Sequence, residues 1–298
     1  MKSKSTKYNA RKWIILIAFI LVICLIYPFL WFQNSAITVT EYSVCDSVPE
    51  AFDGYTIVQI SDLHGKSFGR EQQRLVGAVR EAQPDIIVMT GDIVDQYHGN
   101  GEWGCTTGCA FGGDCDSALR LVEQVVSIAP VYYVNGNHDE WCFAYDEYIE
   151  QVKKLGVNFL SNELTYITTD TGESICIAGL ANRFEGCDIL GRVAREESYT
   201  VLLAHKPHYF DLYCESGAEL VFSGHAHGGQ FGSGSCNNGQ GWFAPGQGAL
   251  PSLTSGTFTD GGTTMVVSRG LGSSIFPQRL GNRPELVVVT LHCSDGDK

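Results

Sequence analysis

Two short stretches carry side chains that could hold a metal ion: Asp62-Leu63-His64 and Gly91-Asp92-Ile93. Carboxylate oxygens and imidazole nitrogens are the donors that borderline divalent cations prefer. Further along come Asn135-Gly-Asn-His-Asp139, His205 and Gly224-His-Ala-His227. Any one of these is a weak signal, because an isolated His64 or His205 is more often a hydrogen-bonded structural histidine than a ligand. Gly65, Gly91, Gly136 and Gly224 fit tight turns rather than binding.

The elements that must position these side chains share one pattern. An apolar run reading as a buried strand precedes each: 55–60, 86–90, 131–134, 201–204 and 219–223. Between the first two, Leu75, Val76 and Val79 make one face of a helix expected over 70–83 and closed by Pro84. This is a βαβ unit, and ligand sites in such units gather at the carboxyl ends of the strands. Placing His or carboxylate at successive strand ends costs desolvation unless the groups meet partners, so a shared metal site is the first hypothesis. Helices are also expected over 117–127 and 145–155, with a charged helix or turn over 192–198. Strands are expected over 157–160, 164–168, 174–178, 264–268 and 286–291, the later ones forming a second sheet of a layered α/β domain. No internal repeat is visible.

The 298 residues carry 20 Lys+Arg against 33 Asp+Glu. Lys2, Lys4, Lys7, Arg11 and Lys12 precede the first acid, Glu41; without them, 15 basic residues face 33 acidic ones. Such a surface repels nucleic acid, although bound cations would change the field locally. From Trp13 to Phe32 there is no charge, and Pro28 is the one interruption. At 1.5 Å per residue that run spans about 30 Å, the thickness of a bilayer's hydrocarbon core. The chain therefore divides into a basic tail (1–12), a transmembrane anchor (13–32), an exposed connection (33–53) with a short strand near 37–42, and a domain (54–298). The basic tail predicts a cytoplasmic N-terminus and a domain on the far side of the membrane. Ser35-Ala36 leaves signal-peptide cleavage open. Of eleven Cys, Cys24 lies in the apolar run, and the other ten fit disulfides on an oxidising side. Three of them, Cys105, Cys109 and Cys115, fall in a Gly-rich insertion at about 98–116, where a structural zinc is the competing idea. Trp103, Trp141 and Trp242 fit an apolar rim, core packing or membrane contact equally well.

Taken in order, Asp62-x-His64, Gly91-Asp92-x-x-Asp95, Gly136-Asn137-His138-Asp139, His205 and Gly224-His225-Ala226-His227 resemble the calcineurin-like metallophosphoesterases, over about 55–291. Five ordered motifs are a specific signal where one would not be. Ser223-Gly-His-Ala-His-Gly-Gly-Gln230, Ser268-Arg-Gly-Leu-Gly272 and Arg279-Leu-Gly-Asn-Arg-Pro-Glu285 are similar to the membrane-associated bacterial branch, which includes proteins acting on lipid-linked phosphoesters.

The resemblance implies an α-β-β-α sandwich and two metal ions. Asp62, His64, Asp92 and His227 would hold one; Asp92, Asn137, His205 and His225 would hold the other, with Asp92 shared. Mixed oxygen and imidazole donors suit Mn, Fe or Zn. It further implies in-line attack of an activated hydroxide on phosphorus, without a phosphoenzyme. His138 would stand at the leaving oxygen, with Asp139 orienting its other ring nitrogen. Asp95 is expected either to cap the following turn or to support a metal ligand. Arg183, Lys206, Arg269 and Arg283 are candidates for contacting substrate phosphate. The favoured substrate is a lipid-linked phosphodiester or pyrophosphate; the alternatives are a phosphomonoesterase or nucleotide phosphodiesterase, and a noncatalytic metal-binding interaction protein. Two departures matter. Gly179-Leu-Ala-Asn182 stands where that branch commonly has an acidic pair, and the insertion at Cys105 to Cys115 looks added beside Asp92.

Overall fold

The structure is a computed structural model that describes residues 2–95, 115–142, 145–184, 188–232, 241–273 and 276–293, with only the backbone of 2–11. Most of the expected insertion, with Trp103, Cys105 and Cys109, lies outside the described residues, as do Cys187 and Cys236.

In chain order the elements are α1 (Lys2–Ser35), β1 (Thr38–Asp46), β2 (Thr56–Ile60), α2 (Gln73–Glu81), β3 (Ile86–Met89), α3 (Cys115–Val125), β4 (Val131–Tyr133), α4 (Asn137–Trp141), α5 (Tyr145–Lys154) and β5 (Asn158–Phe159). They continue with β6 (Glu163–Thr168), β7 (Ser174–Leu180), α6 (Ile189–Val193), β8 (Thr200–Ala204), α7 (Phe210–Glu215), β9 (Leu220–Ser223), β10 (Phe243–Ala244), β11 (Gly248–Ala249), β12 (Gly256–Asp260), β13 (Thr263–Val267) and β14 (Glu285–Cys293).

Two six-stranded sheets result, in the orders β1-β14-β2-β3-β4-β5 and β12-β13-β9-β8-β7-β6. Their facing sides make one core, in which Ile57, Val88 and Val287 of the first sheet meet Ile177, Val201 and Phe222 of the second. Alternate residues point outwards: Val58, Ile87 and Met89 pack under α2 and α3 through Leu75, Val79 and Leu121. On the far side, α6 and α7 cover Leu202 and Val221 with Ile189, Val193 and Tyr213. The strands read as continuous apolar runs because both of their faces are covered. Each buried Val or Leu contributes about 1.5–3 kcal/mol, and truncating Phe222 to Ala would cost about 3–5 kcal/mol. The layers are therefore α-β-β-α, an α/β sandwich as expected, although 286–291, expected in the second sheet, lies as β14 in the first, between β1 and β2.

In the expected connection over 33–53, the short strand expected near 37–42 is present but longer and built into the sheet. Residues 38–46 form a strand paired in parallel with β14 along its whole length, Thr38 opposite Glu285 and Asp46 opposite Cys293. Its side chains alternate between half-buried and exposed, so no apolar run betrays it, and its partner lies at the other end of the sequence. The helix expected within 192–198 falls earlier, at α6, and both α7 and β12 had no clear periodic signal.

Helix α1 also outruns its apolar stretch and is knitted into the domain. The Asn34 side chain accepts from the Arg279 backbone N–H at 2.7 Å and donates to the Pro277 carbonyl at 2.9 Å. Gln278 Nε2 donates to the Leu30 carbonyl at 3.1 Å, and the Gly281 N–H donates to Gln33 at 3.0 Å. Lys66 Nζ donates to the Asn34 carbonyl, and Arg74 to that of Ser35 at 3.1 Å. Two cations thus cover carbonyls at the negative end of the helix dipole.

Candidate metal centre

Each expected ligand follows a strand: Asp62 and His64 after β2, Asp92 after β3, Asn137 after β4, His205 after β8, His225 and His227 after β9. The turns are zipped to one another by backbone bonds, Asp62 N to Gly91 O at 3.0 Å, His64 N to Asp92 O at 2.9 Å and Gly224 N to His205 O at 3.0 Å. Gly91, at φ +90°, shows why the approach needs glycine, since a Cβ there would lie 2.5 Å from the Gly136 nitrogen. Asp62, His64, Asp92, His225 and His227 all have left-handed backbone, with φ between 49° and 65°. Such residues cost of order 1–3 kcal/mol each and persist only where surrounding structure enforces them.

The turns bring two groups together, Asp62 with His64 and His227, and Asp92 with His205 and His225. In the first, the Nε2 atoms of His64 and His227 are 3.1 Å apart, and His227 Nε2 is 3.5 Å from Asp62 Oδ1. In the second, His205 Nε2 lies 3.1 Å from both Asp92 Oδ2 and His225 Nδ1. Asp92 Oδ2 is also 3.9 Å from His64 Nε2, so this one oxygen stands between the groups. The carboxylates are aimed by backbone N–H groups of other ligand turns: His225 N donates to Asp62 at 2.9 Å and His138 N to Asp92 at 2.8 Å.

The donor set fits cations. His205 Nδ1 must donate to the Thr90 carbonyl, 2.7 Å away, which turns Nε2 toward Asp92 and makes it the atom that can take a cation once its proton leaves. Asn137 Oδ1 is buried and accepts no hydrogen bond from the described residues, the kind of orphan that a bound ion explains, while Asp92 Oδ2 faces His205 Nε2 at 3.1 Å.

Charge follows from burial and neighbours. Burial raises the Asp62 carboxyl, and it pushes His225 and His227 well below the usual imidazole value, helped by His205 and His64 respectively. For His205 burial works downward, but the Asp92 carboxylate outweighs it and raises the ring to about 9. Asp92 correspondingly stays well below the usual range, because His205 overcomes the effect of burial.

His138 stands at the edge of the centre, its ring 4.7 Å from that of His64. Its Nδ1 lies 2.7 Å from Asp95 Oδ1. Asp95, not Asp139, therefore orients His138, and Asp95 also faces His64 Nδ1 at 3.8 Å. Burial opposes protonation of His138, but the bond to Asp95 raises it overall. Asp139 is turned the other way. Fully buried, it accepts backbone N–H bonds from Asp92, Ile93, Val94 and Gly136 at 2.8–3.0 Å. It binds the β3 turn to the β4 turn and offers nothing to a reacting atom.

The family model for calcineurin-like phosphoesterases matches residues 55–229, which carry all of these candidate ligands. The chain belongs to that family. A Bacillus subtilis (strain 168) protein, the uncharacterized metallophosphoesterase YkuE, is 27% identical over 277 residues, 88% of this phosphoesterase and 87% of its own length. A Danio rerio transmembrane protein with metallophosphoesterase domain is 28% identical over 201 residues, 62% of this chain but 43% of its own. Among solved structures, Haemophilus influenzae NAD nucleotidase (NadN) covers 73% of this chain and 45% of its own at 15% identity and a TM-score of 0.42. The transmembrane relatives and α1, whose Lys12–Ser35 stretch is long and apolar enough to cross a bilayer, associate the phosphoesterase with a membrane.

All four expected phosphate contacts have other partners. Arg269 is buried against Glu285, with Nη2 to Oε1 at 2.9 Å, and Arg283 lies over the Phe32 ring of α1 at 5.2 Å. Arg183 pairs with Glu140 at 3.0 Å while remaining largely exposed, and Lys206 donates to the Asn182 carbonyl at 3.3 Å. Sequence reasoning gave no role to Arg279 or His208. Arg279 is fully buried, donates to the carbonyls of Gly272 and Arg269, and stands 3.4 Å from His227 Nδ1. The His208 ring lies 5.7 Å from that of His225. Only its position three residues after His205 could have pointed to it.

Beside His227 the phosphoesterase opens into a recess of about 180 Å³, lined also by Ala226, Gln230, Phe231, Phe243, Pro245 and Phe276. Phe231 joins Trp242 and Phe276 in ring contact, and Trp242, Phe243 and Phe276 are all exposed.

Proposed function

We propose that this phosphoesterase hydrolyses a lipid-linked phosphodiester or pyrophosphate at a two-metal centre. One observation carries the substrate class: the recess that meets the metal ligands is apolar and adjoins the loop on which α1 docks. Phe276 lines it, and Pro277, Gln278 and Arg279 hold the end of α1. A lipid tail would leave the bilayer beside α1 and lie along Phe231, Phe243 and Phe276, bringing its phosphate to His227. Burial of that tail at about 25 cal/mol per Å² supplies affinity that a water-soluble ester lacks.

Asp62, His64, Asp92 and His227 would hold one ion, and Asp92, Asn137, His205 and His225 the other. Mn, Fe and Zn all suit these donors. When bound, the ions supply an activated water and neutralise charge on the phosphoryl oxygens. His138 holds a proton on Nε2, with Nδ1 committed to Asp95, and delivers it to the leaving oxygen. Arg183 and Lys206, at the rim, meet the far side of the headgroup. The membrane lipid is the partner, and the acidic surface turns nucleic acid away. The basic residues before Trp13 support an N-terminus in the cytoplasm and a catalytic domain outside it.

Turnover by the full chain in detergent with defined metals tests this. A lipid-linked phosphodiester should exceed its short-chain analogue by at least about tenfold in kcat/KM, and Phe243→Asp should erase the difference while sparing the analogue. Equal rates for both esters, or a preference for nucleotide diesters or monoesters, would remove the lipid from the assignment. Protease accessibility in sealed vesicles reads the orientation.

A further inference from the structure

A pair of sulfurs stands beside the turn that carries His138. Cys142 follows α4 directly after Trp141, whose ring packs on His138 with centroids 4.9 Å apart. Cys115 opens α3, and its Sγ lies 4.0 Å from that of Cys142, 27 residues further along the chain. Both border the same apolar cluster, Cys142 within it at 4% exposure and Cys115 packed against it and more open. A disulfide needs about 2.05 Å between sulfurs, so the gap to close is about 2 Å, within reach of side-chain rotation. Hydrolysis itself has no use for either thiol.

We propose that Cys115 and Cys142 form a redox-controlled disulfide that staples the α4 turn to α3 and so fixes His138. The acceptor is an external protein or small-molecule disulfide. The Cys115 thiolate, the more accessible, attacks it; one acceptor thiolate leaves and a mixed disulfide forms. The Cys142 thiolate then attacks the Cys115 sulfur and expels the second acceptor thiolate. The two protons given up by the cysteine thiols are taken up by the two acceptor thiolates, and two electrons pass to the acceptor, which ends as two thiols. The staple acts on catalysis through position: α4 carries Asn137 and His138, Trp141 beside Cys142 packs on the His138 ring, and the Cys142 N–H donates to the His138 carbonyl at 3.1 Å.

Peptide mapping of the full chain tests this, with samples acid-quenched and then alkylated under denaturing conditions, both as isolated and after glutathione disulfide. A Cys115–Cys142 peptide that dithiothreitol removes is the expected result. Reduction should then lower kcat about 3–10-fold with KM unchanged and lower Tm by about 5–10 °C, because the link restrains the unfolded chain and the turn. Cys115→Ser, Cys142→Ser and the double variant should match the reduced protein and ignore dithiothreitol. The proposal is overturned if both sulfurs stay alkylatable after glutathione disulfide, if either links to another cysteine, if the pair retains zinc, or if kcat of the double variant still responds to dithiothreitol. A link that forms only on exposure to glutathione disulfide upholds the staple and counts separately against a domain outside the cytoplasm.

Discussion

The two ligand groups differ in the charge they hold before any cation arrives. Asp92 and His205 are an ion pair, the carboxylate kept low and the imidazole raised to about 9, each against the effect of its own burial. Asp62 has no such partner. It is raised by burial, His227 beside it is pushed well below the usual value, and its oxygens rest on the Ser61 hydroxyl and the His225 N–H. One group holds, on His205, a proton that a metal must displace; in the other, His227 is already neutral and the Asp62 carboxyl is raised by burial. The difference predicts unequal binding steps at a site that looks symmetric on paper.

The largest effect should come from removing what the groups share. Asp92→Asn takes away the oxygen that stands between them and the counter-charge of His205. It should lose both metal equivalents by elemental analysis and lower kcat/KM by at least about 10³-fold. A variant that kept two equivalents and near-normal turnover would end the shared-carboxylate assignment. Separating the groups comes next: His225→Ala and His64→Ala should each retain about one equivalent, with losses of roughly 10²–10³-fold. If either emptied both positions, the groups would be one site rather than two.

Which parts were legible beforehand follows from the same contrast. The strands under the ligands were readable because strands covered on both faces become apolar runs, and the ligand types because few other jobs put His and Asp after every such run. Of β1 only the first part was, since a half-exposed strand carries little period, and its pairing was not, because its partner β14 is distant in sequence. Nor were the roles of Asp95 and Asp139. Both follow Asp92 or His138 closely, and only the left-handed turns at Asp62, His64 and Asp92 decide which carboxylate faces a ring and which faces backbone N–H groups. Arg269 and Arg283 looked like free cations because Glu285 and Phe32 were not yet beside them.

That division of labour gives a smaller effect that sharpens the comparison without touching a metal ligand. Asp95→Asn keeps a hydrogen-bond partner for His138 Nδ1 but withdraws the charge that favours its protonated ring. Metal content should stay intact while kcat falls roughly tenfold and KM holds, the pattern of a lost transition-state interaction. Asp139→Asn should do the reverse, weakening the joint between the β3 and β4 turns and lowering Tm more than it lowers turnover by the properly loaded enzyme.

The smallest quantity is also the most specific to the ion pair. With its pKa raised from 6.5 to about 9, His205 stays protonated in the metal-free protein at pH 7.5, and a cation can take Nε2 only after that proton leaves. Calorimetric titration in buffers of different ionisation enthalpy should therefore show about one proton released from His205 as the Asp92 group fills, and none from His227, which is already neutral. The sign also sets the stability of the metal-free form. A raised histidine stabilises the folded state fully below its unfolded value, and that contribution fades as pH climbs from 6.5 through about 9. Metal-free protein should accordingly lose Tm over that interval while the loaded protein does not. No proton release as the Asp92 group filled, or a metal-free Tm that rose across that interval, would mean that Asp92 and His205 are not the charged pair their 3.1 Å separation makes them.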